Sequence, residues 1–506
     1  MFLISIIQMF SVMIIMLNIK IKDAFRAIIL LLLLLLSMVI SIEISSIISI
    51  GEYIPTLALA NISETNSVGW KIKLLPFLVF LSFMIASLIL KRLIKEKKIR
   101  NIMVVVFLLS LLIPISPINA FFSSSYEVYS EAKEYNMSPH EISDIKSKYT
   151  KEIVTNDSYS HEIINGNGKN ILVIFIEGMS SLVISKELTP NLYEFRKKSI
   201  SFNNYYNHTA ATFRGLRGQL TSSYQMTGGY NKDNSGLGQA SKVEIEHKLN
   251  TYNYITKLPI ILEENGYHTY FQASNSIDAP LSLMLSTLKF NHIYGREDYN
   301  KKSGELTDKE SFDLLFKKLN EAKQPFFYGV YTVGTHLGLD SPDVKFYDGR
   351  NEYLNHFHQL DHWFGDFISH FNKTSLSKDT IVIITSDHAS YPSEDYKKTF
   401  KTDNTFFVDQ IPLIIWSNGV EFKDINAHGL NSLSLTPTIL DILGIKESHN
   451  MFIGESLFEK EKNKNELNCT SAIGDLYVKT CNGKMEIEKR KEKTELIKQL
   501  QLFGDR

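Results

Sequence analysis

With 54 Lys and Arg against 55 Asp and Glu in 506 residues, the chain carries a formal charge of −1 and a sequence pI near 6.9. That balance supplies no large basic field, which excludes nucleic acid as an expected partner. Apolar residues are unevenly spread: four greasy stretches crowd into residues 1–122, and the remaining residues read as a water-soluble α/β domain.

The four stretches are 1–18, 27–42, 74–90 and 102–122, each close to the roughly 17–25 apolar residues a helix needs to cross a bilayer. Lys20, Lys22 and Arg26 separate the first two; Lys91, Arg92, Lys95, Lys97, Lys98 and Arg100 separate the last two. By the positive-inside rule both short loops are cytoplasmic, so the 43–73 connection and the large C-terminal domain are expected outside. The N-terminus is then also outside and lacks a charged leader region, so the first stretch reads as a span and not as a cleaved signal peptide. The expectation is a multi-pass protein of the bacterial cell (inner) membrane, its soluble domain on the periplasmic or extracellular side.

Residues 123–169 are polar and read as a linker or as helices lying on the membrane surface. Globular patterning begins at 170. The run ILVIFI at 171–176 is short, wholly apolar and rich in β-branched residues, as in a strand buried on both faces of a parallel sheet. Similar runs recur at 326–333, 380–385 and 411–416, with amphipathic helical stretches such as 307–322 and 351–371 between them. The predicted fold is α/β, a mostly parallel sheet covered by helices on both faces over 170–460. Residues 461–506 read as a C-terminal hairpin and charged tail. Cys469 and Cys481 lie twelve positions apart there; outside the cytoplasm a bridge between them is permitted, but sequence does not fix its geometry. Asn482-Gly483 is a turn signal, and 486–498 reads as a solvated amphipathic helix.

In parallel sheets, sites form beyond the carboxyl ends of the strands. One predicted strand runs directly into Glu177, and another into Ser386-Asp387-His388. A carboxylate, an Asp and an adjacent His suit one divalent cation, Zn²⁺ or Mn²⁺, with Mg²⁺ as the third candidate. Between them in sequence, HTAATFRGLRGQLTS at 208–222 reads as a turn opening a helix, where free N–H groups can hold an anion. A threonine hydroxyl there, coordinated to a dication, becomes an alkoxide-like attacker. The plainer alternatives are Glu177 as a capping carboxylate and the arginines as a solvated helix face. His358 and His362 lie four apart on a predicted helix without an evident third ligand, and His428 stands in a loop before Gly429.

Taken together, IFIEG, TFRGLRGQLTSSY, TSDHASY and LSLTPTILDILGI with FIGESLF resemble the alkaline-phosphatase-like sulfatase superfamily. The helical anchor resembles that of the lipoteichoic acid synthases, phosphoglycerol transferases and phosphoethanolamine transferases. The resemblance implies that Glu177, Asp387 and His388 bind metal with a nucleophilic threonine as fourth ligand. Thr212 and Thr209 both match forms of the family's nucleophile turn; Arg214 and Gly215 favour Thr212. His336, in VYTVGTHLGL, matches the family's substrate-side histidine. No cysteine lies near 209–221, so the formylglycine chemistry of true sulfatases is not implied. What is implied is transfer of a head group from a membrane phospholipid donor, through a phospho-threonine, to a cell-envelope glycan or glycolipid acceptor. The segment at 265–299 resembles the phosphoglycerol branch, yet Ala279 and Leu281 stand where lipoteichoic acid synthases have Trp and Arg, leaving Asp278 or Asn275 to shape a different pocket. The alternatives are a phosphoethanolamine transferase acting on lipid A or a surface glycan, a phosphate or sulfate ester hydrolase, and a non-catalytic membrane sensor.

Overall fold

The computed structural model describes residues 1–54, 70–93, 97–133, 150–224, 255–339, 343–404, 407–460, 466–473 and 476–489, with a few single positions between them. The chain forms two compact units, 1–133 with 393–402, and 134–392 with 403–506.

The first unit contains α1 (Phe2–Asn18), α2 (Ala24–Ile50), α3 (Trp70–Leu93), α4 (Lys97–Leu111) and α5 (Pro117–Lys133), and the helix Glu394–Phe400. Two of them are long and apolar enough to cross a membrane, α2 and, over Ile72–Arg92, α3; Phe2–Asn18 and Asn101–Leu111 are shorter apolar helices. Asp23 caps α2 by accepting the Arg26 N–H at 2.9 Å, and Gly51 ends it at φ 85°. The stretch expected as one span at 102–122 is instead two helices, α4 and α5. Pro114 lies in the break and can neither donate a helical hydrogen bond nor leave the preceding turn undisturbed, and Pro117 takes the first position of α5, where its missing N–H does no harm. Asn119 Nδ2 satisfies the Leu111 and Ile113 carbonyls left open by the break, at 2.7 and 2.9 Å.

The strands of the second unit are β1 (Lys151–Ile153), β2 (Asn170–Ile176), β3 (Ile200–Asn203), β4 (His268–Gln272), β5 (His292–Tyr294), β6 (Phe326–Thr332), β7 (Thr380–Ser386), β8 (Leu413–Trp416), β9 (Lys423–Asn426), β10 (Glu447–Asn450), β11 (Thr470–Ile473), β12 (Leu476–Lys479) and β13 (Glu486–Lys489). Eight of them form the central sheet in the order β5-β4-β6-β2-β7-β8-β3-β9. From β5 to β7 the strands are parallel; β8 is antiparallel to β7 and β3, and β3 and β9 are parallel again. Every residue of β2, β6 and β7 is buried, which is why these stretches are mostly apolar and do not alternate.

Ile171, Val173 and Phe175 share one core face with Phe327, Ile381 and Ile383, packed with Leu216 and Leu220 of α6 (Thr212–Thr221). Further on, α7 (Asp308–Glu321) and α8 (Glu352–Phe371) pack through Phe312 and Phe367, rings 5.4 Å apart. A capping box starts α7: Thr307 Oγ1 accepts the Glu310 N–H, and Glu310 Oε2 accepts the Thr307 N–H at 2.8 Å.

Two further expectations are corrected. Residues 151–169 are not a linker: β1 pairs antiparallel with β10, the N–H groups of Asn156 and Asp157 donate to Glu459, and the Ser158 and Ser160 hydroxyls donate to Asp441. That polar stretch is ordered by partners some 280 to 300 positions away, as the separations of 283 and 302 show. Nor does a helix begin at 486. Gly483, at φ 73°, returns the chain so that β13 pairs antiparallel with β12, Val478 opposite Ile487; residues 490–498 lie outside the described ones. Cys469 and Cys481 are bridged, their Cα atoms 5.1 Å apart.

Ile174, paired on both sides in β2 and 1% exposed, gives a direct check on where stability resides. Ile174→Ala should destabilise the folded chain by ~2–5 kcal/mol, whereas Thr307→Ala, which removes one cap, should cost about 1 kcal/mol. Unfolding midpoints of the detergent-solubilised full chain should fall in that order; equal shifts would place the core elsewhere.

Candidate metal centre

The parallel register of β2 and β7 sets Ile176 opposite Ser386, so the next residues, Glu177 and Asp387, leave the sheet side by side. With His388 they form a buried group whose ligand atoms all lie within 4.8 Å of one another. His388 Nε2 is 3.4 Å from both Glu177 Oε1 and Asp387 Oδ2. Its Nδ1 lies 2.7 Å from the Ala389 carbonyl; burial opposes a charged imidazole, but Asp387 and Glu177 outweigh it and raise His388 to about 9, so a bound cation would displace the Nε2 proton while Nδ1 keeps its own.

Asp387 divides its oxygens between two tasks. Oδ1 accepts the N–H groups of Gly178 and His388, each at 2.8 Å, while Oδ2 is fully buried and has no hydrogen-bond partner. Ser386 ties the two strand ends together, donating to the Ile176 carbonyl at 2.7 Å and accepting the Met179 N–H at 2.8 Å. Burial, and then the adjacent Glu177, push the Asp387 carboxyl above its usual range. Burial also opposes ionisation of Glu177, but His388 outweighs it, with help from His336 and Tyr331, and holds that carboxyl low. Two buried carboxylates, an imidazole lone pair and an orphaned carboxylate oxygen fit a divalent cation of the Zn²⁺ or Mn²⁺ class.

Thr212 opens α6 after Ala211, whose φ of 71° makes the sharp entry. Its Oγ1 donates to Glu177 Oε2 at 2.9 Å. The helix lies directly on the ligand loop: a Cβ on Gly215 would stand 2.2 Å from the Asp387 carbonyl oxygen. Gln219 Nε2 donates to the Ser386 and Asp387 carbonyls at 3.0 and 3.1 Å. Thr209, the other candidate, is buried and donates instead to the Ala472 carbonyl of β11 at 2.9 Å. Arg214 is half-buried on the first turn of α6; Arg217 is fully buried and donates to Thr287 Oγ1.

His336 follows β6 in a half-buried loop, its Nδ1 3.1 Å from the Leu337 carbonyl. Thr335 beside it donates to the Glu177 carbonyl at 2.6 Å. The remaining candidates are not gathered there. His358 Nδ1 meets the Leu188 carbonyl at 2.8 Å, His362 is exposed against Trp363, and His428 is exposed. Leu281 is buried in the core, Ala279 precedes the helix Pro280–Ser286, Asp278 is exposed, and Asn275 accepts from Ser282 at 3.0 Å. Tyr331, which sequence reading passed over, is buried in β6 with its hydroxyl bonded to Glu177 Oε2, the same oxygen that Thr212 uses. Its signal was a phenol in a strand otherwise buried on both faces, since a buried tyrosine hydroxyl requires a partner.

The sulfatase family model matches residues 169–445. Over 324 residues the chain is 21% identical to the lipoteichoic acid synthase-like YvgJ of Bacillus subtilis, covering 58% of this chain and 50% of that one. Over 206 residues it is 27% identical to phosphoglycerol transferase I of Salmonella paratyphi B, covering 36% of this chain and 26% of the other. The chain thus spans about half the length, or less, of the curated relatives it matches. Among solved structures, a protein in the alkaline phosphatase superfamily from Vibrio parahaemolyticus superposes with a TM-score of 0.53 at 16% identity, over 75% of this chain and 96% of that one. This last likeness shows the fold.

Asp387→Asn keeps the shape of the side chain and removes its charge. Zn²⁺ and Mn²⁺ affinity, measured by equilibrium dialysis, should fall by more than the ~10–100-fold typical when a ligand loses only its hydrogen-bond partner. Unchanged affinity would mean the cation binds elsewhere. Gly215→Ala should weaken turnover of any substrate, because the added methyl must push α6, and Thr212 with it, off the Asp387 backbone.

Proposed function

The chain belongs to the sulfatase family, and from that premise we propose that it is a membrane-tethered, metal-dependent phosphotransferase that moves a phosphoglycerol head group from a membrane phospholipid to a cell-envelope glycan. The observation that carries this reading is the Thr212 hydroxyl at 2.9 Å from Glu177 Oε2, beside Asp387 and His388.

Glu177, Asp387 and His388 would hold a divalent cation, which when bound would supply positive charge to favour ionised Thr212 and offset charge on the phosphoryl oxygens. Thr212 Oγ1 attacks phosphorus, a new oxygen–phosphorus bond forms, and the bond to the diacylglycerol oxygen breaks. Thr212 releases its proton to solvent as it ionises and recovers one when the phosphoryl group leaves it; the diacylglycerol oxygen takes its proton from His336. In the second half the acceptor hydroxyl gives its proton to His336 and attacks the phospho-threonine, and Thr212 is restored. The N–H groups at the start of α6 have no side-chain cap, which suits an anionic phosphoryl group brought to Thr212. Tethering places these residues where lipid head groups are presented. The basic loops support a multi-pass anchor with this unit on the periplasmic or extracellular side, and the Cys469–Cys481 bridge is in keeping with that side.

Phosphoglycerol is favoured by the segment at 265–299 and by the names of the relatives. The departure at Ala279 and Leu281 supports a second reading, transfer of phosphoethanolamine to lipid A or a surface glycan.

Membranes supplied with head-group-labelled phosphatidylglycerol and phosphatidylethanolamine distinguish the two. Label should leave phosphatidylglycerol; release from phosphatidylethanolamine alone would select the second reading. Thr212→Ala should abolish release, while Thr209→Ala should retain it and lower stability by about 1 kcal/mol through the lost hydrogen bond. If only the Thr209 change stops transfer, the nucleophile is misassigned.

A further inference from the structure

Asp308, the first residue of α7, is fully buried and has no place in the chemistry above. Its Oδ1 accepts the Gly334 N–H at 3.2 Å, the Gln359 side chain of α8 hydrogen-bonds to it, and its Oδ2 is buried with no hydrogen-bond partner. Gly334 is the second residue beyond β6 and the second before His336. A Cβ at 334 would stand 2.2 Å from Asp308 Oδ2 and 2.4 Å from Oδ1, so only glycine lets the loop backbone lie against this carboxyl. The next residue, Thr335, is fixed through its hydroxyl to the Glu177 carbonyl. The His336 N–H closes the turn onto the Val333 carbonyl at 3.0 Å. Three consecutive residues are therefore pinned: one to Asp308, one to the metal-ligand loop, and the third is the histidine itself.

We propose that Asp308 is the positioning residue for His336, holding the 333–336 turn at the height that aims the imidazole at the substrate side of Glu177 and Thr212. What His336 does once placed rests on the phosphotransferase reading; that Asp308 places it does not. The arrangement is specific to a carboxyl-sized acceptor, since the space that a larger residue at 334 would need is occupied by the acid itself. Burial pushes the Asp308 carboxyl up to about 7, partly offset by Gln359 and the Gly334 N–H; Asp343 is the one other ionisable group acting on it among the described residues. Between about pH 4 and pH 7 the folded chain thus keeps a proton that an unfolded aspartate, titrating near 4, has released. Stability from this group declines as pH rises through that window and levels off above it.

Asp308→Ala and Asp308→Asn in the full chain separate the possibilities. Hydrogen exchange at 333–337 should speed up in Asp308→Ala while 177–180 and 386–389 stay protected, and Zn²⁺ affinity should remain within twofold of wild type. With labelled phosphatidylglycerol, kcat should fall at least tenfold with KM little changed. Asp308→Asn, which keeps an acceptor for the Gly334 N–H, should restore slow exchange and most of kcat. Its melting temperature relative to wild type should rise as pH increases from about 4 to 7. Unaltered exchange at 333–337 in Asp308→Ala, or a parallel loss of metal affinity, would overturn the proposal. Altered exchange in a chain that transfers no label would overturn only the proposed reaction.

Discussion

Two carboxylates buried side by side cannot both stay ionised without a positive partner, and much of the sheet unit is arranged around that constraint. The register of β2 and β7 brings Glu177 and Asp387 together, Ser386 and the Gly178 N–H fix the strand ends, and α6 closes over them through Gly215 and Gln219. Hydrogen bonds satisfy one oxygen of Asp387 and leave the other bare. A buried anion of that kind is expensive unless something neutralises it, and the cluster of Glu177, Asp387 and His388 is one that could hold a cation to do so.

The same constraint orders what surrounds it. Thr212 and Tyr331 both turn their hydroxyls to Glu177 Oε2, leaving Oε1 to face His388. The loop after β6 is held by Thr335 to the Glu177 backbone. Each of these contacts comes from a different element, which is the geometric sense in which the carboxyl ends of parallel strands gather side chains from distant parts of a chain.

How far the sequence was readable depended on how local the determining physics was. The strands β2, β6 and β7 announced themselves because burial on both faces favours runs of apolar residues over alternation, and the candidate ligands were sought at their ends. The helices at 307–322 and 351–371 were visible by period and lie within a residue of their observed ends. A pairing set by a remote partner was not visible, as β1 depends on β10; β13 pairs with its neighbour β12 across the Asn482-Gly483 turn, but its charged sequence suits a solvated helix equally well. The apolar composition at 102–122 masked a break made by two prolines. Thr209 and Thr212 look alike in a sequence; they differ because a carbonyl 263 positions away claims one of them.

That distant carbonyl belongs to β11, which also bonds the His208 carbonyl through the Ala472 N–H and the Asn207 carbonyl through the Ser471 hydroxyl. The turn before Thr212 is thus braced by a strand made long after it. A ribosome delivering this polypeptide in order exposes Thr212 early but cannot complete its setting until β11 has emerged and docked, so this corner of the molecule is finished late in biosynthesis.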